Sequence, residues 1–406
     1  MANEKMEIIR GLAYEDVGTD EGMVSGDIPN DEEVVVNTRQ YHVNTLVEYV
    51  EDDFDGVFPA DTAFEDYKKV TITVSWGGES DEQKKVKLAS RFVPAGLEVE
   101  HPGDGILFIN VFSDQPGGTG ISGASVHVVN TETGLNTTVT TGGDGSVTLM
   151  GDKITESIRR YEITVSKGDE YETVQTMPPY PTTGYNPVDV HASVVVGLIN
   201  VANIVQNKLA DLEVSSVDYL EENAIPNISF SIVGGRKIGN EAEEPNNPIY
   251  NMNVSEETNS SGSKDFGQVS PGQYKVELDS LETGYELIDT DPISPFSLFS
   301  EDDLVVKLKL ADRNAESLLV RIYKVVEEEN IPIEGAQVQL TNVSGYDTSQ
   351  LSSATGTAFF PTTADAFLSG DYDLEVSKEG FTTSSSQITI TDNQLKEETI
   401  ILTPAT

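Results

Sequence analysis

The chain reads ISGASVHVVN over residues 121–130 and IEGAQVQLTN over residues 333–342, and this repeated stretch decides the fold. Apolar side chains occupy alternate positions in both copies: Ala124, Val126 and Val128 in the first, and Ala336, Val338 and Leu340 in the second. Alternation is typical of a β-strand with one buried face, because successive side chains point to opposite sides of a sheet. We therefore expect all six side chains to face the interior.

The flanking sequence repeats in the same order: a β-rich run, the alternating stretch, a Gly-bearing turn and a tyrosine-bearing strand. In the first and third copies the β-rich run and the tyrosine strand are Gly105–Phe112 with Tyr161–Lys167, and Ser317–Tyr323 with Asp371–Lys378. A weaker copy contains Ile225–Gly234, and its residues 235–265 are predicted to form a long polar insertion. Such self-similarity predicts three related β-domains, over residues 105–203, 209–311 and 314–406.

The repeat unit resembles the carboxypeptidase regulatory-like, transthyretin-like sandwich family, which overlaps the Cna protein B-type and carbohydrate-binding-like folds. The resemblance rests on an I-x-G-A-x-V strand, a G-x-[AV]-x-[FL] strand and a Y-x-[LI]-x-V-x-K-x-G-[YF] strand. The first copy departs from the last motif, because Asp169 replaces its glycine. The resemblance implies tandem β-sandwiches, and such patterns define a fold much better than a function.

Residues 1–100 differ from the repeats. Met6, Ile9 and Leu12 fall near one face of a short helix, and Asp66–Trp76 is the clearest strand that follows. This order resembles the globular half of type IV pilin-like proteins (minor pilins and pseudopilins), in which a helix end precedes a small antiparallel sheet. The resemblance implies an apolar helix of about 20 residues ahead of Glu4, which is absent here. We expect the helix to pack on the sheet through the three apolar side chains, or to fray.

The predicted fold is therefore mainly β: a short N-terminal helix with a pilin-like antiparallel sheet, then three tandem transthyretin-like or Ig-like sandwiches. Short strands separated by Gly/Pro/Asn/Asp/Ser clusters favour sandwiches over alternating strands and helices. The pilin-like domain takes residues 1–100. The predicted boundaries are Leu97–Gly105, Asn203–Asp211 and Ala311–Ser317.

The composition excludes several classes of protein. The chain has 406 residues, 25 basic and 69 acidic side chains, and a net charge of −44. Nucleic acids and anionic membrane surfaces are bound through clusters of Lys and Arg, so neither is an expected partner. The absence of cysteine excludes disulfides, thiolate zinc sites and cysteine nucleophiles. A halophilic source would explain the acidity, but neither the repeat nor the N-terminal resemblance.

The candidate sites each have a simple alternative. The acidic runs Glu48–Asp55, Glu241–Glu244 and Glu327–Glu329 supply oxygen ligands for a hard cation, but none has the spacing of a calcium loop, and solvated loops explain them as well. The four histidines, His42, His101, His127 and His191, lack the spacing of metal ligands. We therefore assign no catalytic, cofactor-binding or metal-binding residue and expect no cofactor.

Two further sets of residues suggest a specific chemistry, a covalent crosslink and a sugar-binding face. Lys324 lies in a strand resembling the one in which Cna protein B-type domains hold an isopeptide-forming lysine. The last strand has no asparagine to react with it, although Glu375 offers an acid. Trp76, Tyr14, Tyr41 and Tyr49 could form a sugar-stacking face, and the alternative is that Trp76 completes the N-terminal core.

The predicted function is that of an extracellular structural or adhesive surface protein. It is minor-pilin-like, non-enzymatic and anchored in the membrane through an N-terminal helix absent from this chain, with the sandwiches as stalk or display modules. Other pilin subunits of a type IV pilus, or envelope secretion components, are the expected partners, with a cell-surface protein or a glycan as a possible ligand. The alternative function is a carbohydrate-binding accessory module of a secreted system, which predicts a shallow aromatic-lined groove.

Overall fold

The computed structural model describes residues 1–50, 66–76, 85–94, 104–363 and 367–405. The protein is mainly β, as the sequence predicts, with one short N-terminal helix and several sheets arranged as β-sandwiches. The chain divides into two compact units, Met1–Lys208 with Ile238–Ile249, and Leu209–Lys237 with Tyr250–Thr406. The division into four domains stays a prediction.

The N-terminal region is a helix on a four-stranded antiparallel sheet. The helix α1 spans Ala2–Arg10, and a short 3-10 turn spans Tyr14–Asp16. The strands, in sheet order, are β1 (Asp31–Val36), β2 (Arg39–Val50), β3 (Tyr67–Ser75) and β4 (Lys85–Phe92). No helix among the described residues has the length and apolar character needed to cross a membrane.

Two of the three predicted helix contacts form. Met6 and Ile9 are buried in one cluster with valines and isoleucines of the sheet, including Val47 and Ile72. The prediction for Leu12 is wrong, since its side chain is 39% exposed. The helix ends at Arg10, and the Gly11 N–H donates to the Ile8 carbonyl oxygen at 3.0 Å. Leu12 therefore lies beyond the last turn, off the helical face.

The first sandwich buries one core between two sheets. The smaller sheet has the order β13–β5–β8, with β5 at Asp104–Phe112, β8 at Ser146–Thr155 and β13 at Ile199–Val205. The larger sheet contains β6 (Ser125–Asn130), β7 (Leu135–Thr140), β9 (Ser157–Ser166), β10 (Val174–Gln175) and β12 (Ala192–Val194). A short strand, β11 (Tyr185–Pro187), pairs with Gly239–Glu241 within the same compact unit.

The second sandwich also has two sheets. One has the order β17–β14–β21–β19, with β14 at Ala210–Asp218, β17 at Ser263–Val269, β19 at Tyr285–Asp291 and β21 at Asp303–Asp312. The other contains β15 (Ser229–Glu241), β16 (Pro248–Glu257), β18 (Gly272–Glu277) and β20 (Phe296–Leu298). A four-residue helix, α2 (Ser280–Thr283), precedes β19.

The predicted polar insertion over residues 235–265 is built largely of strands. This stretch contains the end of β15, all of β16, which pairs with β15, and the first residues of β17. Most of the β16 side chains are exposed or half-buried. An antiparallel strand with solvent on one face needs few apolar residues, so its polar composition resembled that of a loop.

The third sandwich pairs β22 (Ser317–Val326) with β23 (Glu329–Pro332), β26 (Thr357–Phe360) and β29 (Leu395–Ile401) in one sheet. The other sheet has the order β25–β24–β27–β28, with β24 at Gln337–Thr341, β25 at Asp347–Leu351, β27 at Gly370–Ser377 and β28 at Ser384–Ile390. The apolar side chains of both sheets form one buried cluster.

The three sandwiches share their topology and their buried positions. In each, the first strand pairs in parallel with the last, β5 with β13, β14 with β21 and β22 with β29. The predicted inward set is confirmed, because all of its members are 0% exposed: Ala124, Val126, Val128, Ala336, Val338 and Leu340. A buried tyrosine recurs as well, at Tyr161, Tyr274 and Tyr372.

Candidate functional surfaces

A cavity of about 330 Å³ opens on the outer face of the first sandwich. Tyr161, Ile163 and Val165 of β9 point into the core, so the alternate residue Glu162 points outward toward the cavity. The rest of the lining combines residues at the start of β9, the neighbouring strand β6 and a proline-rich loop. These residues are Val129, Thr131, Ile158, Arg159, Arg160, Pro178, Pro179, Thr182 and His191.

An irregular pairing of β9 with β12 positions the cavity's arginines. Ala192 lies opposite Tyr161, whereas Val194 lies opposite Ser157, so β9 bulges between these two pairs. Arg159, in the bulge, has φ = 57°, and its N–H donates to Ser193 Oγ at 2.9 Å. A β-bulge changes the direction of a side chain at the edge of a sheet, here that of a cationic residue.

The proline-rich loop that forms the opposite wall is closed by its own hydrogen bonds. The Thr182 N–H donates to the Pro179 carbonyl oxygen at 3.0 Å. The buried hydroxyl of Thr183 donates to the carbonyl oxygen of Tyr185 at 2.7 Å and also lies 3.2 Å from that of Pro178. The wall is therefore a preformed part of the fold.

The His191 ring is held by a hydrogen bond to a buried threonine. Its Nδ1 lies 2.9 Å from Oγ1 of the buried Thr176, which also accepts a hydrogen bond from the Ile163 N–H. Because the threonine oxygen already accepts the Ile163 N–H, we assign its proton to the bond with Nδ1, and the imidazole proton to Nε2. Burial lowers the pKa of His191; Glu162 opposes this shift and Arg160 adds to it. At neutral pH the side chain is therefore a neutral N–H donor.

The two arginines at the cavity differ in their partners. The Nε of Arg160 lies 3.1 Å from Oε1 of Glu132, whose other oxygen accepts a hydrogen bond from Ser157 Oγ at 2.9 Å. The Arg159 guanidinium forms no ion pair with any residue that the structure describes. Glu162 accepts a hydrogen bond from Gln175. The cavity thus holds one uncompensated cation and one carboxylate.

Sequence reasoning missed this cavity because a bulge and a loop far along the chain bring its residues together. The only local signal was the Arg159-Arg160 pair at the start of a tyrosine strand. Adjacent arginines are unusual in a chain with 25 basic and 69 acidic side chains.

The three histidines that the structure describes lie in separate parts of the fold. The His42 Nε2 lies 3.0 Å from Asp31 Oδ1, and the His127 Nε2 lies 2.7 Å from Asn136 Oδ1. His101 lies outside the described residues. Across the parts of the chain that the structure describes, no group of three or more His, Asp or Glu could hold a metal ion.

The acidic runs have ordinary partners where the structure describes them. Glu48 pairs with Lys69 at 3.1 Å, and residues 51–55 of the same run lie outside the described residues. Glu241 and Glu244 both accept hydrogen bonds from the Asn247 side chain. Glu327 and Glu328 form the exposed turn between β22 and β23, and Glu329 is the exposed first residue of β23.

The isopeptide reading of Lys324 lacks its geometry. Lys324 lies on β22 opposite Ile331, whereas Glu375 lies on β27 in the other sheet of the third sandwich. Glu375 is exposed. A crosslink of this kind needs a buried acid, so Lys324 remains an ordinary strand lysine.

The four candidate aromatic residues do not form one face. Tyr41 and Tyr49 lie at opposite ends of β2, roughly 25 Å apart at the rise of a strand. Tyr41 and Trp76 pack with ring centroids 6.0 Å apart, and Tyr41 contacts the N-terminal core. Tyr14 contacts the buried Lys68, whose Nζ lies 4.6 Å from the ring centroid. Trp76 therefore extends the N-terminal core, the simpler of the two readings.

The second and third sandwiches join through a buried contact within one compact unit. Glu286 of β19 has a side chain 9% exposed, and its two oxygens lie 2.5 Å from Arg313 Nη1 and 2.6 Å from Arg321 Nη2. Both arginines also approach Glu397 of β29, at 3.1 and 3.7 Å. An apolar cluster lies beside these charges: Ile288, Ala311, Leu319, Phe359 and Leu395, with Tyr219 and Leu220 packed against it.

The N-terminal region joins the first sandwich in a comparable way. Met23 is 1% exposed and belongs to the core of the sandwich. A Cβ at Gly151 would lie 2.4 Å from the Met23 carbonyl oxygen, so the two backbones approach too closely for any other residue. The Ser25 N–H donates to Asp152 Oδ1 at 2.9 Å.

No family model matches the chain, and no curated protein matches it. Among solved structures it is similar to the Bacillus anthracis TIE protein, with 16% identity over 83% of this chain and 59% of that one and a TM-score of 0.21. A second is GBS52, the minor pilin of Streptococcus agalactiae, with 12% identity over 48% of this chain and 97% of that one and a TM-score of 0.20. A third is a streptococcal ancillary pilin, with 12% identity over 74% of this chain and 100% of that one and a TM-score of 0.22.

The chain thus spans about 59% of the length of the Bacillus anthracis protein. Two of the three structures are pilins by their description. TM-scores near 0.2 lie far below those of chains that share an overall arrangement. The function is therefore argued below from this chain's own residues, and the assignment to the type IV class stays a prediction.

Proposed function

We propose that the chain is an extracellular structural or adhesive surface protein, in which the second and third β-sandwiches form a stiff display stalk. The observation that supports this function is the junction between the second and third sandwiches. Only residues 313–316 separate β21 from β22, and apolar and charged side chains of both sandwiches are buried around them. A stalk holds its far end at a defined distance from its base only if its modules cannot bend freely relative to one another.

The buried apolar and charged side chains at this junction resist bending. Bending would expose Leu319 and Phe359, which are 0% and 4% exposed, and apolar surface costs about 25 cal/mol per Å² when it meets water. It would also separate Glu286 from its arginines and leave a carboxylate without its partners. A flexible polar linker would impose neither cost.

The proposal extends to the class and the location of the protein. The N-terminal helix and sheet would be the base of a minor pilin of the type IV kind, held at the cell surface by an apolar helix ahead of Glu4. Other pilin subunits or envelope secretion components would be its partners. The packing of Met6 and Ile9 on the sheet supports the pilin-like base.

The proposed protein is not an enzyme. Two observations support this part of the proposal. The chain has no cysteine nucleophile, and His42, His127 and His191 each have a separate structural partner on a separate element. His191 lies within hydrogen-bond reach of the Thr176 hydroxyl, but that threonine is buried and does not line the cavity, so these three histidines form no exposed nucleophile–base pair.

Distance measurements on the full chain test the stalk. The absence of cysteine allows nitroxide labels at Lys275→Cys and Ser385→Cys, two exposed positions on the second and third sandwiches. We expect one narrow distance distribution by double electron–electron resonance. A control with Gly-Ser-Gly-Ser inserted between Asn314 and Ala315 should broaden it. An equally broad distribution without the insertion contradicts a stiff stalk.

Location is tested separately, in the source cell. Protease added to intact cells should degrade the full-length protein, and the envelope fraction should contain it. Recovery of the intact protein wholly from the cytosol would contradict the surface assignment.

A further inference from the structure

The cavity on the first sandwich has the size of a site for one small group. Ligand sites in proteins range from about 300 to 1,000 Å³, and this cavity, at about 330 Å³, lies at the lower limit. One sugar ring or one amino acid fills such a space. Both of its walls, the β9 bulge and the proline-rich loop, are held by hydrogen bonds of their own.

The cavity presents a cation in a protein whose overall charge is −44. Arg159 has no carboxylate partner among the described residues, although acidic side chains outnumber basic ones in the chain. Its φ of 57° is an unfavourable conformation for a residue with a long side chain, and such backbone strain concentrates at functional sites. A guanidinium pairs with carboxylates and with phosphates through two parallel hydrogen bonds, and the carboxylate, the smaller of these anions, suits a cavity of this volume.

The remaining polar groups of the cavity can form hydrogen bonds with hydroxyl groups of a ligand. The Glu162 carboxylate accepts hydrogen bonds, the Thr131 and Thr182 hydroxyls donate and accept, and the Nε2–H of His191 donates. Pro178, Pro179, Ile158 and Val129 offer apolar surface for the C–H groups of a ring. A ligand with one carboxylate and several hydroxyls on a compact ring would use all of these groups.

The Glu162 carboxylate favours a ligand with hydroxyl groups over a peptide, because it needs hydrogen-bond donors. A small carboxylate without hydroxyls, such as an N-acylated amino acid, offers Glu162 a single amide N–H, whereas an acidic sugar offers several hydroxyl donors. A sugar hydroxyl donates a hydrogen bond to the Glu162 oxygens and so stabilises the bound ligand. The composition of the cavity therefore favours an acidic sugar.

We propose that the first sandwich binds an acidic sugar residue, a hexuronic acid or a sialic acid, in this cavity. Arg159 binds the carboxylate, Glu162 and the threonines bind hydroxyls, and the proline-rich loop covers one face of the ring. The site does not depend on the stalk function proposed above, since it lies wholly within one sandwich.

Saturation-transfer NMR and calorimetric titration of the full chain test this site. The probes are glucuronic acid, N-acetylneuraminic acid, glucose and N-acetylglycine, which separate the acidic sugar from the neutral sugar and from the plain carboxylate. We expect saturable binding of at least one acidic sugar, and affinity for glucose and N-acetylglycine lower by about tenfold or more. Absence of saturable binding by both acidic sugars overturns the proposal, as does equal binding of N-acetylglycine.

Substitutions then assign the roles. Arg159→Gln should reduce acidic-sugar affinity by about tenfold, which corresponds to about 1.4 kcal/mol, whereas Arg39→Gln on β2 should leave it unchanged. Arg159→Asn tolerates a positive φ better and also lacks the cation, so it should fold stably and lose the same affinity. Glu162→Gln should weaken acidic-sugar binding and strengthen that of N-acetylglycine. Unchanged affinity in both Arg159 variants overturns the proposal, as does tighter sugar binding in Glu162→Gln.

Discussion

The carboxylate of Glu286 in the second sandwich binds the guanidinium of Arg321 in the third, with 2.6 Å between Oε1 and Nη2. The Glu286 side chain is 9% exposed and that of Arg321 is 26% exposed, so this pair is shielded from solvent far more than a surface ion pair. The third sandwich thus supplies a cationic partner for a carboxylate that is buried in the second. The interaction couples the stabilities of two sandwiches that could otherwise unfold separately.

Removing this arginine should destabilise both sandwiches at the junction. We expect Arg321→Met to lower the local free energy of opening by about 1–3 kcal/mol, because Glu286 keeps its burial and loses one of two cations. Native-state hydrogen exchange of β19 and β22, measured by mass spectrometry, reports this quantity.

The control for this effect is Lys275→Met, which removes an exposed lysine of the ion pair with Glu277. Its effect should stay within about 0.5 kcal/mol, as for most surface substitutions. Equal losses in the two variants would mean that the Glu286–Arg321 pair is worth no more than a surface ion pair.

A charge in the core of the third sandwich should be far more costly than one beside it. Val338 is 0% exposed, whereas its neighbour Gln337 on the same strand faces solvent. We expect Val338→Asp to lower the free energy of unfolding by about 3 kcal/mol or more, because it buries a carboxylate without a partner. Chemical denaturation monitored by circular dichroism measures this, and Gln337→Asp should be close to neutral. Similar losses in both variants would show that the strand register is wrong.

The repeated buried tyrosine should stabilise each sandwich through its hydroxyl. The Tyr274 ring is 1% exposed, and its OH donates to the carbonyl oxygen of Ser270 at 2.6 Å. Tyr372 donates in the same way to Leu368 at 2.8 Å. Tyr274→Phe should therefore cost about 1 kcal/mol of unfolding free energy in the same denaturation experiment, since the Ser270 oxygen loses a donor.

Tyr323→Phe is the matched control, because this half-buried hydroxyl has no hydrogen bond to any residue that the structure describes. We expect this variant to lose almost no unfolding free energy. If Tyr274→Phe is as mild as Tyr323→Phe, the recurrent tyrosine contributes through its ring alone.

Alkaline pH should weaken the fold through its buried tyrosines. Burial raises the pKa of Tyr161, Tyr219, Tyr346 and Tyr372 above the ordinary value of 10.0. Between the unfolded and folded pKa values the unfolded chain releases protons that the folded chain keeps, so stability is complete below about pH 10 and falls as the pH rises. Thermal unfolding at intervals from pH 8 to pH 11 should show this fall.

Tyr219→Phe isolates one contribution, because burial and then the nearby Asp289 raise the pKa of Tyr219. The variant should lose less stability than the parent between pH 9 and pH 11. An identical alkaline profile in the variant would exclude Tyr219 from the effect.

The alternation of apolar residues in the sequence predicted which strand faces are buried. Contacts between segments that are far apart in the chain could not be predicted from it. The alternation around Val126 and Val338 determines which face is buried, so the inward set followed directly. The strand β16 alternates too weakly to be recognised, because solvent covers most of it. Arg159 and His191 meet only through a bulge and a loop, and no local pattern encodes that meeting.

The connector between the second and third sandwiches should resist proteolysis, although the sequence alone predicts a domain boundary at Ala311–Ser317. Trypsin cleaves after Arg313 only if that segment leaves the fold and extends in the protease. The Arg313 N–H donates to the Gly284 carbonyl oxygen at 3.1 Å, and its own carbonyl accepts from the Leu395 N–H at 2.9 Å. Its guanidinium binds Glu286 and Glu397. Cleavage here therefore requires local unfolding of the junction.

We expect native full-length protein to keep this bond intact while trypsin cuts exposed sites elsewhere, and mass spectrometry of the fragments identifies each site. The double variant Glu286→Ala with Glu397→Ala removes both carboxylates that bind Arg313, so cleavage after Arg313 should become faster. Glu277→Ala, at an exposed ion pair of the second sandwich, is the control and should not accelerate it. Rapid cleavage after Arg313 in the native protein would show that the connector is a flexible linker, and the stiff stalk would fail with it.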